Sequence, residues 1–225
     1  MLNIVATPIG NLKDITLRAL EVFASADVIV CEDMRETLKI LNHYNLKKKL
    51  LCLHQHSFDQ KIRSILTEYE NICYVTDAGT PGISDPGNRI VELAYEMGKP
   101  VVAIPGPSAI VAALSISGLK TDKFLFLGFM PHKGKGKTFE QIKCSQYTSA
   151  FYDSPHRVVK TLTELAKYIS DDRLVVVARE ITKMFESVYR GTITQVLEQI
   201  KDHEKGEFVV LVEGSDKRVT EQKSN

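Results

Sequence analysis

Short, continuously apolar segments alternate with amphipathic segments along the first half of the chain. The apolar runs are rich in β-branched residues and lie at 2–7, 27–31, 49–54, 72–76 and 100–105. They lack the apolar–polar alternation of a sheet with one wet face, and such runs are typical of parallel strands covered on both faces. Two amphipathic segments lie between these runs, at 59–70 and 85–98. Each has apolar side chains at the spacing of one helix face. The alternation predicts an α/β domain with a parallel sheet.

The second half of the chain also alternates predicted strands with helical segments. Further strands are predicted within 124–129, 149–153, 173–180 and 206–214. A helix is predicted over 154–169, with Ser154 as its N-cap and Pro155 at its first position. We therefore predict two α/β domains, 1–118 and 119–214, joined by a hinge near 118–121, and a polar tail at 215–225.

Composition excludes several classes of protein. The chain has 225 residues, 44% of them hydrophobic, and a net charge of +1, so a site for nucleic acid has to be a local patch. Its four cysteines form no CxxC pair and have no histidines at metal spacing, which argues against a metal site. Three of them, Cys31, Cys52 and Cys73, lie in apolar strand-like runs and are predicted to be buried thiols in a reducing compartment. The N-terminus has no signal-peptide pattern, and the apolar run at 109–119 is too short to span a bilayer. These features predict a cytoplasmic protein without a membrane segment.

Glycine and proline cluster where three of the predicted strands end. The clearest cluster is VTDAGTPGISDPG at 75–87, and ATPIGN and IPGPSA follow two other strands. Ligands of open parallel sheets bind outside the carboxyl ends of the strands. No GxGxxG or P-loop pattern is present, and each cluster taken singly could be only a tight turn. Within the longest cluster, Asp85 is predicted to be the N-cap of a helix whose first residue is Pro86.

These loops carry a resemblance to a known family. VTDAGTPGISDPG, with ATPIGNLKDITLRAL before it and IPGPSA after it, resembles the signature of the ribosomal RNA small subunit methyltransferase I family of the tetrapyrrole-methylase superfamily. CEDMR, FLFLGFMPHK, FYDSPHR, VAREITK and KGEFVVLVEG extend the resemblance from residue 2 to about 214. The resemblance implies a homodimeric class III methyltransferase with S-adenosylmethionine in the cleft between its domains. Its substrate would be the ribose 2′-hydroxyl of a cytidine in the decoding region of 16S rRNA, within the small ribosomal subunit.

The resemblance also implies which residues hold the cofactor. The first domain would contribute loop residues and the second would close the cleft, the full set being Pro8, Ile9, Asp77, Gly79, Thr80, Ser108, Ala109, Phe151, Tyr152, Ala178, Glu207 and Phe208.

Charged residues near these loops are candidates for the RNA side. Glu32, Asp33 and Glu186 are candidate proton acceptors for the ribose hydroxyl, although Asp33 could equally cap a helix and pair with a neighbouring cation. Met34 stands where the family usually has Ser or Thr. The candidate RNA contacts are Arg35, His56, Lys133, Lys135, Lys137, Lys183 and Arg190, for each of which a solvated surface charge is the plain alternative.

Two other functions remain open from the sequence. The same fold could methylate a small molecule such as a tetrapyrrole, since fold alone does not determine substrate. The chain could also be a non-catalytic RNA- or nucleotide-binding module. Relatives commonly continue into a small helical tail beyond the equivalent of EGSDKR, which the present sequence lacks.

Overall fold

The computed structural model describes residues 1–53, 58–201 and 205–215. It divides into two compact units, unit 1 from Met1 to Ser108 and unit 2 from Ala109 onward. This boundary lies earlier than the one predicted after residue 118. The reason is that the helix beginning at Ala109 packs against a strand of unit 2.

Unit 1 is a five-stranded sheet in which every neighbouring pair is parallel, as the sequence predicts. The strands lie in the order β3-β2-β4-β1-β5. Their bounds are β1 Leu2–Val5, β2 Val28–Cys31, β3 Leu50–Cys52, β4 Ile72–Tyr74 and β5 Val101–Ile104. The helices of this unit are α1 Leu17–Ser25, α2 Met34–His43, α3 Asp59–Glu68 and α4 Asn88–Glu96, with a short 3-10 helix at Leu12–Asp14.

Both faces of this sheet are covered by helices. On one face Val28 and Ile72 pack with residues of α3 and α4, and on the other Ile29 and Cys73 pack with residues of α1 and α2. All four residues of β2 are therefore buried, which explains why the strand segments are apolar throughout. Cys73 is fully buried and is therefore an apolar core residue, as predicted, and its burial raises the pKa of the thiol to about 12.

One predicted helix start in unit 1 is wrong. Helix α4 begins at Asn88, after an N-cap glycine, Gly87, with a φ of +140° and no side-chain capping bond. Asp85 and Pro86 lie before the helix, because the chain is still turning there, with positive φ at both Gly82 and Ser84. The Asp85 carboxylate is thus not a cap and remains in the loop.

Unit 2 contains a second five-stranded sheet of mixed direction. Its strands lie in the order β6-β7-β10-β8-β9, in which only β6 and β7 are parallel neighbours. Their bounds are β6 Phe124–Phe129, β7 Thr148–Asp153, β8 Leu174–Arg179, β9 Ser187–Thr192 and β10 Phe208–Val212. The helices are α5 Ala109–Ser117, α6 Gly136–Cys144, α7 Val158–Leu165 and α8 Ile193–Ile200. Strand β9, which sequence patterns did not assign, forms an antiparallel hairpin with β8.

The start of α7 also differs from the prediction. The helix begins at Val158 with Arg157 as its N-cap residue, and Ser154 forms a turn before it. The Ser154 hydroxyl accepts a hydrogen bond from Nε of Arg157 at 2.8 Å instead of capping the helix. The predicted buried stripe of this segment is confirmed, since Val158, Leu162, Leu165 and Ile169 are all buried in the core of unit 2.

Candidate functional site

Three loops meet at the carboxyl edge of the unit 1 sheet, after the adjacent strands β4, β1 and β5. Thr7 and Gly79 exchange two main-chain hydrogen bonds, with N–O distances of 2.9 and 3.0 Å. The hydroxyl of Thr80 donates to the carbonyl of Pro107 at 3.1 Å. The loop after β4 is therefore fixed to both of its neighbours, so the predicted loop residues of this edge share one rigid frame.

Glycine is required at two points of this frame. Gly79 has a φ of +78°, and a Cβ there would lie 3.4 Å from Cγ2 of Ile9. A Cβ on Gly106 would lie 3.0 Å from Cβ of Ala6, a tight contact between the β5 and β1 loops. The loops are thus closely packed where they join, and Pro8 and Ile9 are buried there. Both main-chain groups of Gly79 are bonded to Thr7, so the exposed part of this frame is the adjacent pair Asp77 and Ala78.

Asp77 connects the loop after β4 to the loop after β2. Its Oδ1 accepts a hydrogen bond from the main-chain N–H of Asp33 at 3.1 Å, and the Asp77 residue is otherwise exposed. Partial burial of the carboxyl raises the pKa of Asp77. This carboxylate stands in the glycine loop, where it is available to polar groups of a ligand.

Asp33 has the structural role that the sequence left open. Its carboxylate accepts from the main-chain N–H of Arg35 at 2.8 Å at the start of α2, and it pairs with the Arg35 guanidinium at 2.5 Å. These hydrogen bonds lower the pKa of Asp33 to about 2. A carboxylate with so low a pKa is a weak proton acceptor, and Arg35 is an exposed cation that is already paired.

Asp85 is a further candidate site residue, which the sequence patterns assigned to a helix cap instead. It is half-buried in the loop after β4, and burial, together with the negative charge of Glu32, raises the pKa of Asp85 to about 6. The Thr76 hydroxyl lowers this pKa, although its geometry falls outside that of a normal hydrogen bond. A neighbouring negative charge disfavours the ionised form of a carboxyl group, so Asp85 retains its proton to a higher pH than a free aspartate does. The sequence signal for this residue is the second Asp of a Gly-rich loop, a position that is also typical of a helix cap.

The second set of predicted cofactor residues lies together within unit 2. Tyr152, Ala178 and Phe208 are on the adjacent strands β7, β8 and β10, near the edge where β7 and β8 end. Phe151 and Phe208 belong to the buried core with the helices, so only their main chains could contact a ligand. Tyr152 instead packs its ring edgewise against Phe126, with 5.2 Å between centroids.

The side chains of Lys183 and Glu186 already have polar partners at the turn between β8 and β9. The Lys183 ammonium lies 3.0 Å from Glu180 and 3.1 Å from Glu207, so two carboxylates neutralise it. Glu186 accepts a hydrogen bond from the main-chain N–H of Thr182 at 2.6 Å. Both side chains therefore stabilise the turn, in which Glu180 and Thr182 have positive φ.

The other predicted RNA contacts differ in how free their charges are. Lys135 is only 9% exposed, and its Nζ lies 3.0 Å from the Thr161 hydroxyl and 3.1 Å from Glu164. Lys133 and Lys137 are exposed, and neither forms an ion pair with any residue that the structure describes. Arg190 donates through Nε to the carbonyl of Ser117 at 3.1 Å. His56 lies outside the described residues.

Two negative findings apply to the described ranges. Within residues 1–53, 58–201 and 205–215, no three His, Cys, Asp or Glu side chains are grouped as a metal site would need. Over the same ranges, no helix combines the length and the apolar character needed to cross a bilayer.

Comparison with known proteins identifies the class of this fold and site. The family model described as Tetrapyrrole (Corrin/Porphyrin) Methylases matches residues 1–197. Two solved methyltransferases have the same fold with a TM-score of 0.69, the methyltransferase CobJ at 16% identity and the cobalt precorrin-4 methyltransferase CbiF at 17%. The first covers 95% of this chain and 94% of its own, and the second 94% of each. The chain belongs to the tetrapyrrole methylase family, whose members are methyltransferases.

Relatives with higher identity narrow the assignment. Proteins called ribosomal RNA small subunit methyltransferase I are 42% identical in Escherichia coli O157:H7 and 44% identical in Vibrio cholerae serotype O1. Each alignment covers 95% of this chain and 77% of the relative. A third such protein, from Halalkalibacterium halodurans, is 41% identical over 97% of this chain and 77% of its own length. Within the methylase family, the chain belongs with ribosomal RNA small subunit methyltransferase I.

Proposed function

We propose that this protein transfers a methyl group from S-adenosylmethionine to the ribose 2′-hydroxyl of a cytidine in the decoding region of 16S rRNA. The observation that carries the proposal is the Gly79 loop, which is joined to the β1 and β5 loops and presents the exposed Asp77, in a chain 42% identical to a small-subunit rRNA methyltransferase. S-adenosylmethionine has no phosphate, so its site needs no P-loop. It does need close approach of the main chain and a few polar partners.

The residues at this edge suit such a cofactor. The side chains of Ile9 and Ala6 pack against Gly79 and Gly106, and Asp77 and Ala78 are exposed beside them, where a nucleoside can approach the loop. Asp77 supplies a carboxylate for hydroxyl or amine groups, while Pro8 and Ile9 supply an apolar base. Ser108 and Ala109, which follow β5, extend the same set, as the sequence predicts. When bound, the cofactor supplies an electrophilic methyl group on sulfur, and it therefore carries the difficult chemistry itself.

The protein has to position the ribose oxygen and accept its proton. Among the predicted bases, Asp33 is the weakest candidate, because the pKa of its carboxyl is about 2. Glu32 and Asp85 are better candidates. Burial and the charge of Glu32 raise the pKa of Asp85 to about 6, and a general base works best with a pKa near the operating pH. We assign proton acceptance to this carboxylate pair in preference to Glu186, whose carboxylate accepts a hydrogen bond from the main-chain N–H of Thr182.

Positive charge for the RNA comes from lysines and arginines that are not already paired with carboxylates. Lys133 and Lys137 meet that condition among the described residues, and Arg35 and Arg190 keep part of their charge toward solvent. Lys135 and Lys183 are better explained as structural cations. A homodimer acting on the small ribosomal subunit in the cytoplasm remains part of the proposal, on the strength of the resemblance.

Methyl transfer to ribosomal subunits tests this proposal. Purified protein is incubated with S-adenosylmethionine and unmodified small subunits, and the digested rRNA is analysed by mass spectrometry. We expect one ribose-methylated cytidine with the wild type and with the control Asp122→Ala, an exposed residue of unit 2, and none with Asp77→Ala. Cofactor binding without any RNA methylation would refute the assigned substrate and favour a small-molecule acceptor.

A further inference from the structure

Unit 2 contains a basic cavity of about 540 Å³ that lies between the loop at 132–136 and helices α6 and α7. Its lining includes five cationic side chains and one carboxylate, that of Glu164. The whole chain has a net charge of only +1, so this concentration of positive charge is local. A local excess of cations on a nearly neutral protein marks a place where a polyanion can bind.

The cations of the cavity fall into two groups. Lys135 is neutralised by Glu164 at 3.1 Å, and Arg157 is neutralised by the buried Asp153 at 2.8 Å. These two pairs build the wall, because Arg157 also donates to the carbonyl of Met130 at 3.2 Å. The Glu164 carboxylate is therefore already paired with Lys135 within the protein.

The second group is the three lysines Lys133, Lys160 and Lys167. All three line the cavity and are exposed, and none has an ion-pair partner among residues 1–53, 58–201 and 205–215. Lys160 and Lys167 lie seven positions apart, which is about two turns along α7 and its C-terminal extension, so they flank one side of the cavity. Three ammonium groups around one concave space are suited to phosphate oxygens.

Neutral groups of the lining add hydrogen-bonding capacity. The Tyr168 ring packs against Phe139 with 5.2 Å between centroids, and its hydroxyl oxygen would lie 3.5 Å from a Cβ added at Gly136. Gly136 is the first residue of α6, which has no side-chain cap. The imidazoles of His132 and His156 complete the lining. A cavity of this volume is within the range that accommodates small ligands, so it can hold a phosphate with its sugar.

We propose that this cavity binds backbone phosphates of the RNA substrate through Lys133, Lys160 and Lys167, and so anchors the RNA on unit 2. The proposal rests on the proposed function, since it takes RNA as the substrate. It adds Lys160 and Lys167, which no sequence motif marks, and it gives Lys135 the role of supporting the wall. Phosphate contacts position a nucleic acid without reading its sequence, so these lysines increase affinity and leave the choice of nucleotide to other residues.

Equilibrium binding of RNA, measured without cofactor, tests the cavity independently of methyl transfer. The probes are unmodified small ribosomal subunits and a single-stranded oligonucleotide of the decoding-region sequence, each titrated at several salt concentrations. We expect the double variant K160Q/K167Q to bind about tenfold more weakly at low salt and to reduce the salt slope by about one to two. The matched control K143Q/K201Q removes two exposed lysines of unit 2 that each pair with a glutamate three residues away.

The outcomes separate this proposal from the proposed function. Equal affinities and slopes for the two double variants would overturn the phosphate cavity, even if the wild type methylates rRNA. A second outcome would also overturn the proposal: inorganic phosphate stabilises the wild type but not K160Q/K167Q, while the two proteins bind RNA equally well. That result would indicate a site for a small anion. Lysine-dependent RNA binding without methylation would support the cavity and refute the assigned reaction.

Discussion

Replacing Asp85 by asparagine tests the electrostatics of the candidate site. The carboxyl group is half-buried near Glu32, and burial and that charge raise the pKa of Asp85 to about 6. An unfolded aspartate titrates near pH 3.9, roughly two pKa units lower, and each unit corresponds to about 1.4 kcal/mol. Because the group is partly exposed, solvent screening reduces the difference, and we expect a penalty of about 1–2 kcal/mol for the ionised form.

The sign of the pH dependence follows from the raised pKa. Between pH 4 and 6, roughly the interval between the unfolded and folded pKa values, the folded protein holds the proton that the unfolded chain has released. Stability of the wild type therefore falls as the pH rises through that interval and levels off above it. Asp85→Asn lacks this charge, so it should be more stable than the wild type at pH 7.5 by about 1–2 kcal/mol and no more stable near pH 4.

Urea unfolding at pH 7.5, 6.0, 5.0 and 4.0 measures both quantities. The control is Asp14→Asn, an exposed aspartate of the same unit, for which we expect no such gain. Asp85→Asn should also lower the rate of methyl transfer while leaving cofactor affinity within about twofold. A variant that is less stable than the wild type at pH 7.5, or whose advantage persists at pH 4.0, would refute the electrostatic argument.

Three further substitutions test the frame around the sites. Gly79→Ala should destabilise unit 1 by about 1–2 kcal/mol and weaken cofactor binding, because residue 79 has a φ of +78°. The control is Gly98→Ala. Gly98 has a φ of +67° with open space around it, so this substitution should affect stability alone. Urea unfolding and cofactor titration compare the two variants. Equal cofactor affinities of Gly79→Ala and Gly98→Ala would contradict the role of Gly79. Lys135→Ala should lower stability by about 1 kcal/mol, since it leaves the half-buried Glu164 carboxylate unpaired, while Lys143→Ala within α6 should change stability by less than about 0.5 kcal/mol. A negligible loss for Lys135→Ala would return that lysine to the RNA contacts. Arg173→Met should cost about 3 kcal/mol in thermal or urea unfolding, because the buried guanidinium donates to three main-chain carbonyls, and a loss below about 1 kcal/mol would show that water replaces those bonds.

Much of the fold could be predicted from local sequence patterns. Unbroken apolar runs predict buried parallel strands because a strand covered on both faces has no position where a polar side chain meets water. The same patterns did not distinguish β9 as a strand, because its apolar residues do not coincide with its buried positions: Val188 is exposed and the buried residue is Gly191. The strand also pairs only with β8. Helix starts were less reliable. In both α4 and α7 a turn comes between the Pro-containing segment and the first helical residue, and turn geometry there depends on φ values that the sequence does not specify.

The sequence by itself determined the parallel α/β unit, the edge at which its Gly-rich loops gather and the family to which the chain belongs. These properties depend on residue types at short spacings, which a linear pattern carries. Only the tertiary structure decided which charges are available. Lys135 meets Glu164, 29 positions away, and Lys183 meets Glu207, 24 positions away, whereas Lys133 and Lys160 keep their charge for a partner. Whether a charged side chain is paired within the protein or is available to a ligand depends on distances and burial, and these are defined only in the folded chain.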